Sequence, residues 1–137
     1  MSEEDKDIAM IRAAFEAWSR LDMDGFFELV HPEIEWHPPL YAPRPGPHHG
    51  HEEVRKGLAA YFRSFERFTP SLEWVKPAAE PRTYLAEVLT DTKSRESGIE
   101  AEIHVFHLIS IRDDKLAVLR VFTDRAEALS VAGVGDA

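Results

Sequence analysis

The stretch from Ile99 to Arg112, IEAEIHVFHLISIR, constrains this chain more than any other. Alternate side chains of a β-strand point to opposite faces, and one face here reads Ile99, Ala101, Ile103, Val105, His107, Ile109, Ile111. That face is apolar throughout except for a single imidazole. The other face, Glu100, Glu102, His104, Phe106, Leu108, Ser110, Arg112, is wet at both ends. A titratable group set into an apolar face must find a partner or a ligand, because burying it bare costs a few kcal/mol. His107 therefore has two readings: a core histidine hydrogen-bonded to a neighbour, or a ring projecting into a cavity where a ligand meets it.

With 137 residues, the chain reads as one domain over 1–137, its ends (1–4 and 134–137) expected to fray. Sixteen basic against 25 acidic residues give a net charge of −9 and no Lys/Arg run, which disfavours nucleic acid and anionic membranes as partners. No apolar stretch approaches the roughly 20 residues of a membrane helix. The acidic start, MSEEDKD, is not the basic opening of a secretory signal. The absence of cysteine excludes disulfides, thiolate catalysis and cysteine-ligated zinc, and is compatible with the cytoplasm, the expected location.

Ile8, Ile11, Phe15 and Trp18 recur at helical spacing, predicting a helix over 5–21 with Ser2 and Asp5 as a capping pair. Asp22 and Asp24 offer caps for a short second helix, GFFELV, that His31-Pro32 stops. Glu33 to His37 reads as a strand. Five prolines between Pro38 and Pro47 then forbid regular structure and leave a stiff loop, a candidate lid. Gly50 opens a third helix whose apolar stripe is Val54, Leu58, Tyr61, Phe62 and Phe65, ending before Pro70. SLEWVKP, TYLAEVLTDTK, the 99–112 strand and LAVLRVF supply four more strands. Asp124 caps a last helix that Gly133 closes. The order α-α-β-α-β-β-β-β-α describes an α+β domain in which helices close a curved, mainly antiparallel sheet.

The residue opposite His107 depends on the turn. A two-residue Asp113-Asp114 turn sets Arg120 beside it; a three-residue loop including Arg112 sets Leu119 there and turns Arg120 outward. Type I′ turns demand positive φ at both centres, where Asp114 is poorer than glycine, so Leu119 is the expected neighbour.

LDMDGFFELVHPEIEWHPPL, GHEEVRKGLAAYF and ISIRDDKLAVLRVFTDRAEALSVAGV together resemble the nuclear transport factor 2-like superfamily, in its bacterial SnoaL-like (polyketide cyclase-like) branch. The resemblance covers essentially the whole chain. It implies a cone of curved sheet and helices, an apolar pocket for a small molecule, and a homodimer formed through the outer sheet face. The fold hosts isomerases, cyclases, dehydratases and non-catalytic binders, so it does not by itself give an activity. In ketosteroid isomerase relatives a helix tyrosine and a strand aspartate form an oxyanion hole and a second aspartate is the base. The matching positions here are Ala14, His107 and Pro38, so two of the three parts are missing and that activity is not expected. The polyketide cyclases similar to SnoaL place an acid/base residue in the same cavity, a role His107 could take.

The candidate catalytic residues are therefore His107, with a pKa expected below the ordinary value through desolvation, and the pair Glu35 and His37, two residues apart at the pocket mouth. Alternation of Ile34 and Trp36 points that pair away from the apolar face. Candidate ligand-binding residues are Phe15, Trp18, Trp36, Tyr61, Phe62, Phe65, Trp74, Val105, Ile109 and Leu119, most of them equally readable as core. His48, His49, His51 and Glu52 lack the i, i+4 spacing of a helical metal site and read as a solvated helix entrance. No phosphate-binding glycine loop, nucleophile-elbow serine or nucleotide fingerprint is present. The expectation is a protein without metal or cofactor that binds a mostly apolar, oxygenated metabolite. It is either an isomerase, cyclase or dehydratase using His107, or a non-catalytic binding or dimerisation module.

Overall fold

The computed structural model describes residues 2–135. Ten elements follow in order: α1 (Glu3–Ser19), α2 (Met23–Glu28), β1 (Val30–His37), β2 (His48–His49), α3 (Gly50–Arg63), β3 (Phe65–Pro77), β4 (Thr83–Ser94), β5 (Glu100–Arg112), β6 (Lys115–Phe122) and α4 (Arg125–Ala132). The strands form one curved sheet in the order β2-β1-β6-β5-β4-β3, antiparallel except where β1 runs parallel to β6.

Local chemistry explains the helix ends. Ser2 Oγ accepts from the Asp5 amide at 3.1 Å and the Asp5 carboxylate accepts from the Ser2 amide, a reciprocal capping box. Glu3, Glu4 and Asp5 also place negative charge at the positive end of the helix dipole. Asp22 caps α2 and Asp124 caps α4, whose end is closed by Gly133 in the left-handed region. Val134 packs on α4's apolar cluster; Met1, Asp136 and Ala137 lie outside the described residues.

The third helix is shorter than its apolar stripe suggests. It ends at Arg63, and Phe65 begins β3, which pairs with β4 from Phe65↔Ser94 to Pro77↔Tyr84. Pro70 lies inside that strand, which the sheet tolerates because β3 is an edge.

The main core lies between α1, α3 and the inner sheet face, around Ile11, Phe15, Trp18, Ile34, Leu58, Ile109 and Leu116. A smaller cluster forms where α4 covers part of the outer face, joining Leu85, Phe106, Leu108 and Phe122 to Ala128, Leu129 and Ala132.

The β5–β6 turn differs from expectation in an instructive way. Arg112 pairs with Lys115, so the turn is the two-residue one, with Asp113 at φ 54° and Asp114 at φ 57°. Neither centre is glycine, and tertiary contacts offset the left-handed strain. Asp113 Oδ2 lies 3.0 Å from His31 Nε2, and Asp114 Oδ1 accepts from Arg82 Nη2 at 2.8 Å. A bulge at Ala117 then shifts the register by one, since Ile111 pairs with Leu116 but Ser110 with Val118. His107 consequently faces Val121, not Leu119 or Arg120. Leu119 pairs with Ile109 in the core, and Arg120 pairs with Leu108 on the outer face.

Candidate functional site

β5 carries His107 on the inner face, between Ala86 of β4 and Val121 of β6. The ring is only 5 % exposed. Phe15 meets it edge-on with centroids 5.0 Å apart, and Trp18 does so at 5.9 Å. Its Nδ1 is buried without a hydrogen-bond partner. Desolvation, with no opposing charge, lowers the imidazole pKa to about 3, so the ring is neutral at pH 7.

Beside the ring is a narrow cavity of about 20 Å³, room for about one water molecule. Phe15, Trp18, Trp36, Tyr61, Val105 and His107, all readable from the sequence, contribute to its wall. The remaining lining residues are Pro39, Phe68, Pro70, Val88, Thr90 and Val121. Phe68 and Pro70 escaped the sequence reading because the α3 pattern seemed to run on to Pro70. The alternation of Phe68, Pro70 and Leu72 was the available signal. Val88 and Thr90 follow the same period in β4, where they pair with Val105 and Ile103.

Other candidates lie elsewhere. Phe62 and Phe65 pack against Tyr61 at 5.9 and 5.3 Å and support the wall from behind. Ile109 and Leu119 are fully buried core residues next to the site. Trp74 is on the outer face, displaced by a bulge in β3, where its Nε1 donates to Glu87 Oε1 at 2.7 Å. Glu35 and His37 face each other at 3.3 Å, each about 40 % exposed, and their β6 neighbours Val118 and Arg120 belong to the outer face. The structure does not bring this pair to His107.

Residues 38–47 form a strap that reaches the cavity through Pro39. Tyr41 Oη and Tyr61 Oη are 2.9 Å apart, and burial raises the pKa of both phenols, so both stay protonated. His48 Nε2 holds the strap's far end through the Arg44 carbonyl at 3.2 Å, while its ring stacks on Trp36 at 5.3 Å. His48 is therefore buried instead of solvated, and His51 is tied to the Val30 carbonyl at 2.9 Å. Among the described residues, no group of three His, Asp or Glu side chains is arranged to hold a metal ion.

Chemically, the side chains that line the site include a neutral imidazole, an indole whose Nε1 lacks a partner, the Thr90 hydroxyl and the Tyr61 phenol, set among aromatic and aliphatic walls. Among the described residues, no Asp, Glu, Lys or Arg lines the cavity.

A family model described as a SnoaL-like domain matches residues 11–119. The chain belongs to the SnoaL-like family. Solved structures agree on the fold. An NTF2-like protein of unknown function from Burkholderia pseudomallei superimposes with a TM-score of 0.77 at 16% identity, over 96% of this chain and 98% of that one. TerC co-crystallised with polyporic acid gives 0.75 at 18% identity, over 93% and 98%. RV0760c from Mycobacterium tuberculosis, in complex with estradiol-17beta-hemisuccinate, gives 0.71 at 13% identity, over 88% and 95%. No curated protein matches the chain. No helix of the described residues is long and apolar enough to cross a membrane.

Proposed function

We propose that this SnoaL-like chain binds a small, mostly apolar, oxygenated molecule beside His107, beneath the 38–47 strap. The observation that carries the reading is a buried imidazole with an unpartnered Nδ1 in the wall of a mostly apolar, uncharged cavity. A buried polar atom without a partner costs about 1–3 kcal/mol, which a ligand oxygen would recover. The complexes of TerC and RV0760c with small molecules support the analogy. Drug-sized ligands occupy some hundreds of Å³, so binding requires the strap to move and the Tyr41–Tyr61 link to part.

His107 supports a cofactor-free isomerisation, cyclisation or dehydration under one condition. Protonating a ring of pKa about 3 at pH 7 costs roughly 5 kcal/mol. A developing negative charge on the bound molecule would have to offset that cost, since no carboxylate in the cavity wall does so. Binding therefore precedes catalysis in this reading, and a purely non-catalytic binder is the second one. We propose further that a second copy covers the exposed part of the outer sheet face.

NMR titration with apolar ketones and phenols tests the site. Shifts concentrated at Val88, Val105, Val121 and the His107 ring are expected; an unperturbed cavity in a folded chain counts against the site. Once a substrate is found, His107→Ala should abolish turnover and keep binding if the ring moves protons. Sedimentation at twice the chain mass is expected for the dimer, and a monomer at tens of micromolar would remove that part.

A further inference from the structure

Trp36 has a feature that its role as wall does not use. The residue is 2 % exposed, yet its indole Nε1 has no hydrogen-bond partner. An indole N–H only donates, so what satisfies it must bring an acceptor. The ring is fixed on two sides. One face stacks on His48, and Cζ3 packs so closely on α3 that a Cβ at Gly57 would lie 2.9 Å from it. Nε1 sits across the indole from Cζ3, so the N–H edge turns away from α3. Trp36 itself lines the cavity that holds His107.

Two unpartnered polar atoms, from β1 and β5, thus belong to side chains that share one apolar wall. The other lining residues carry no charge, so an entering carboxylate or ammonium would be buried without a counter-charge, at a cost far above that of a neutral oxygen. The aromatic side chains of Phe15, Trp18, Tyr61 and Phe68 in the wall suit a planar body.

We infer that Trp36 selects the ligand: its indole N–H donates to an uncharged carbonyl oxygen on a planar, conjugated molecule, with His107 as the second contact. The class is a neutral aryl or enone ketone, not an acid or a hydrocarbon. This rests on the cavity being the binding site, and it adds which atom discriminates and which ligands are refused. A site built to pair a polar group rejects the analogue that lacks it, because its own donor is then left buried and bare.

The test uses three probes of similar size, acetophenone, ethylbenzene and benzoate, on the full chain. Calorimetry gives affinities, and the Trp36 indole proton, identified by its loss in Trp36→Phe, reports the contact. Acetophenone should bind about tenfold tighter than ethylbenzene, move the indole proton downfield, and leave benzoate well behind. In Trp36→Phe the ketone preference should collapse while ethylbenzene affinity is retained. A still indole proton in the wild type overturns the inference even if the variant fails to fold. So does a preference that survives in a folded variant, or benzoate binding best. Binding of the probes without preference overturns this inference alone; no binding by any of the three overturns the proposed site as well.

Discussion

Arg82, in the β3–β4 connection, grips the buried carboxylate of Asp7 in α1 with two hydrogen bonds, Nη2 to Oδ1 at 2.7 Å and Nε to Oδ2 at 3.2 Å. The same guanidinium reaches Asp114 in the β5–β6 turn, and Tyr84 Oη donates to Asp7 at 2.7 Å. One cation thereby ties the first helix to two hairpin ends, fixing the helix that supplies Phe15 and Trp18 to the cavity. Burial alone would raise the Asp7 pKa, but the bonds from Arg82 and Tyr84 and the nearby positive charge outweigh it and hold the carboxyl below its ordinary range. Arg82→Ala should cost about 3 kcal/mol by denaturant unfolding at pH 7, because it strands a buried carboxylate. Arg82→Lys should recover only part, lacking the fork. A carboxyl with a depressed folded pKa contributes stability above its unfolded value of 3.8 and loses it as pH falls through the folded value. The gap between wild type and Arg82→Ala should therefore narrow towards pH 3.

His107 acts in the same direction over a higher pH window. Below its unfolded pKa of 6.5 the open chain takes up a proton that the folded ring, with a pKa of about 3, refuses. Folding then loses about 1.4 kcal/mol per pH unit from this group as pH falls from 6.5 towards 3. His107→Leu should abolish that slope. Between pH 7 and pH 5 the wild type should lose about 2 kcal/mol more than the variant in urea unfolding, and equal losses would contradict a desolvated ring.

The strap is held by a phenol pair, so deletion should be asymmetric. Tyr41→Phe leaves the buried Tyr61 hydroxyl unpaired and should destabilise by about 1 kcal/mol, whereas the Tyr41→Phe/Tyr61→Phe double variant should lie closer to wild type. Amide exchange at Ala42, whose N–H bonds to the Pro39 carbonyl at 3.0 Å, should quicken in both variants. Unchanged exchange would show that the strap is held by something else.

Gly57 lets α3 approach β1. A Cβ there would fall 2.9 Å from Trp36 Cζ3 and 3.0 Å from His48 Nε2, both in packed rings. The helix would gain up to about 1 kcal/mol from Gly57→Ala, while overpacking costs typically about 1–3 kcal/mol. The clash should win. Thermal unfolding should show lower stability, and tryptophan fluorescence should report the displaced Trp36.

The fold was readable because its signals were periodic. The alternation of 99–112 and the caps at Ser2, Asp22, Asp124 and Gly133 all correspond to observed elements. His107 and its desolvation were visible for the same reason: a lone imidazole in an apolar row has few environments open to it. The neighbour of His107 was not visible, because the Ala117 bulge and the Asp113 and Asp114 contacts with His31 and Arg82 are tertiary effects with no local signature. Phe65 and Trp74 were misassigned for related reasons, one by a helical pattern running into a strand, the other by a bulge that turned the side chain over. Neither the Trp36 donor nor its lack of a partner could be seen before β1 and α3 were placed together.

The placement of Pro70 also bears on how copies of this chain can meet. One border of the sheet is β3, which carries Pro70 and Pro77, and the other is β2, only two residues long. A neighbouring strand would find missing amides along one border and almost no ladder along the other, so end-on growth into a continuous ribbon is obstructed at both sides. Any self-association is thereby steered away from strand addition and towards side-chain contact across a face.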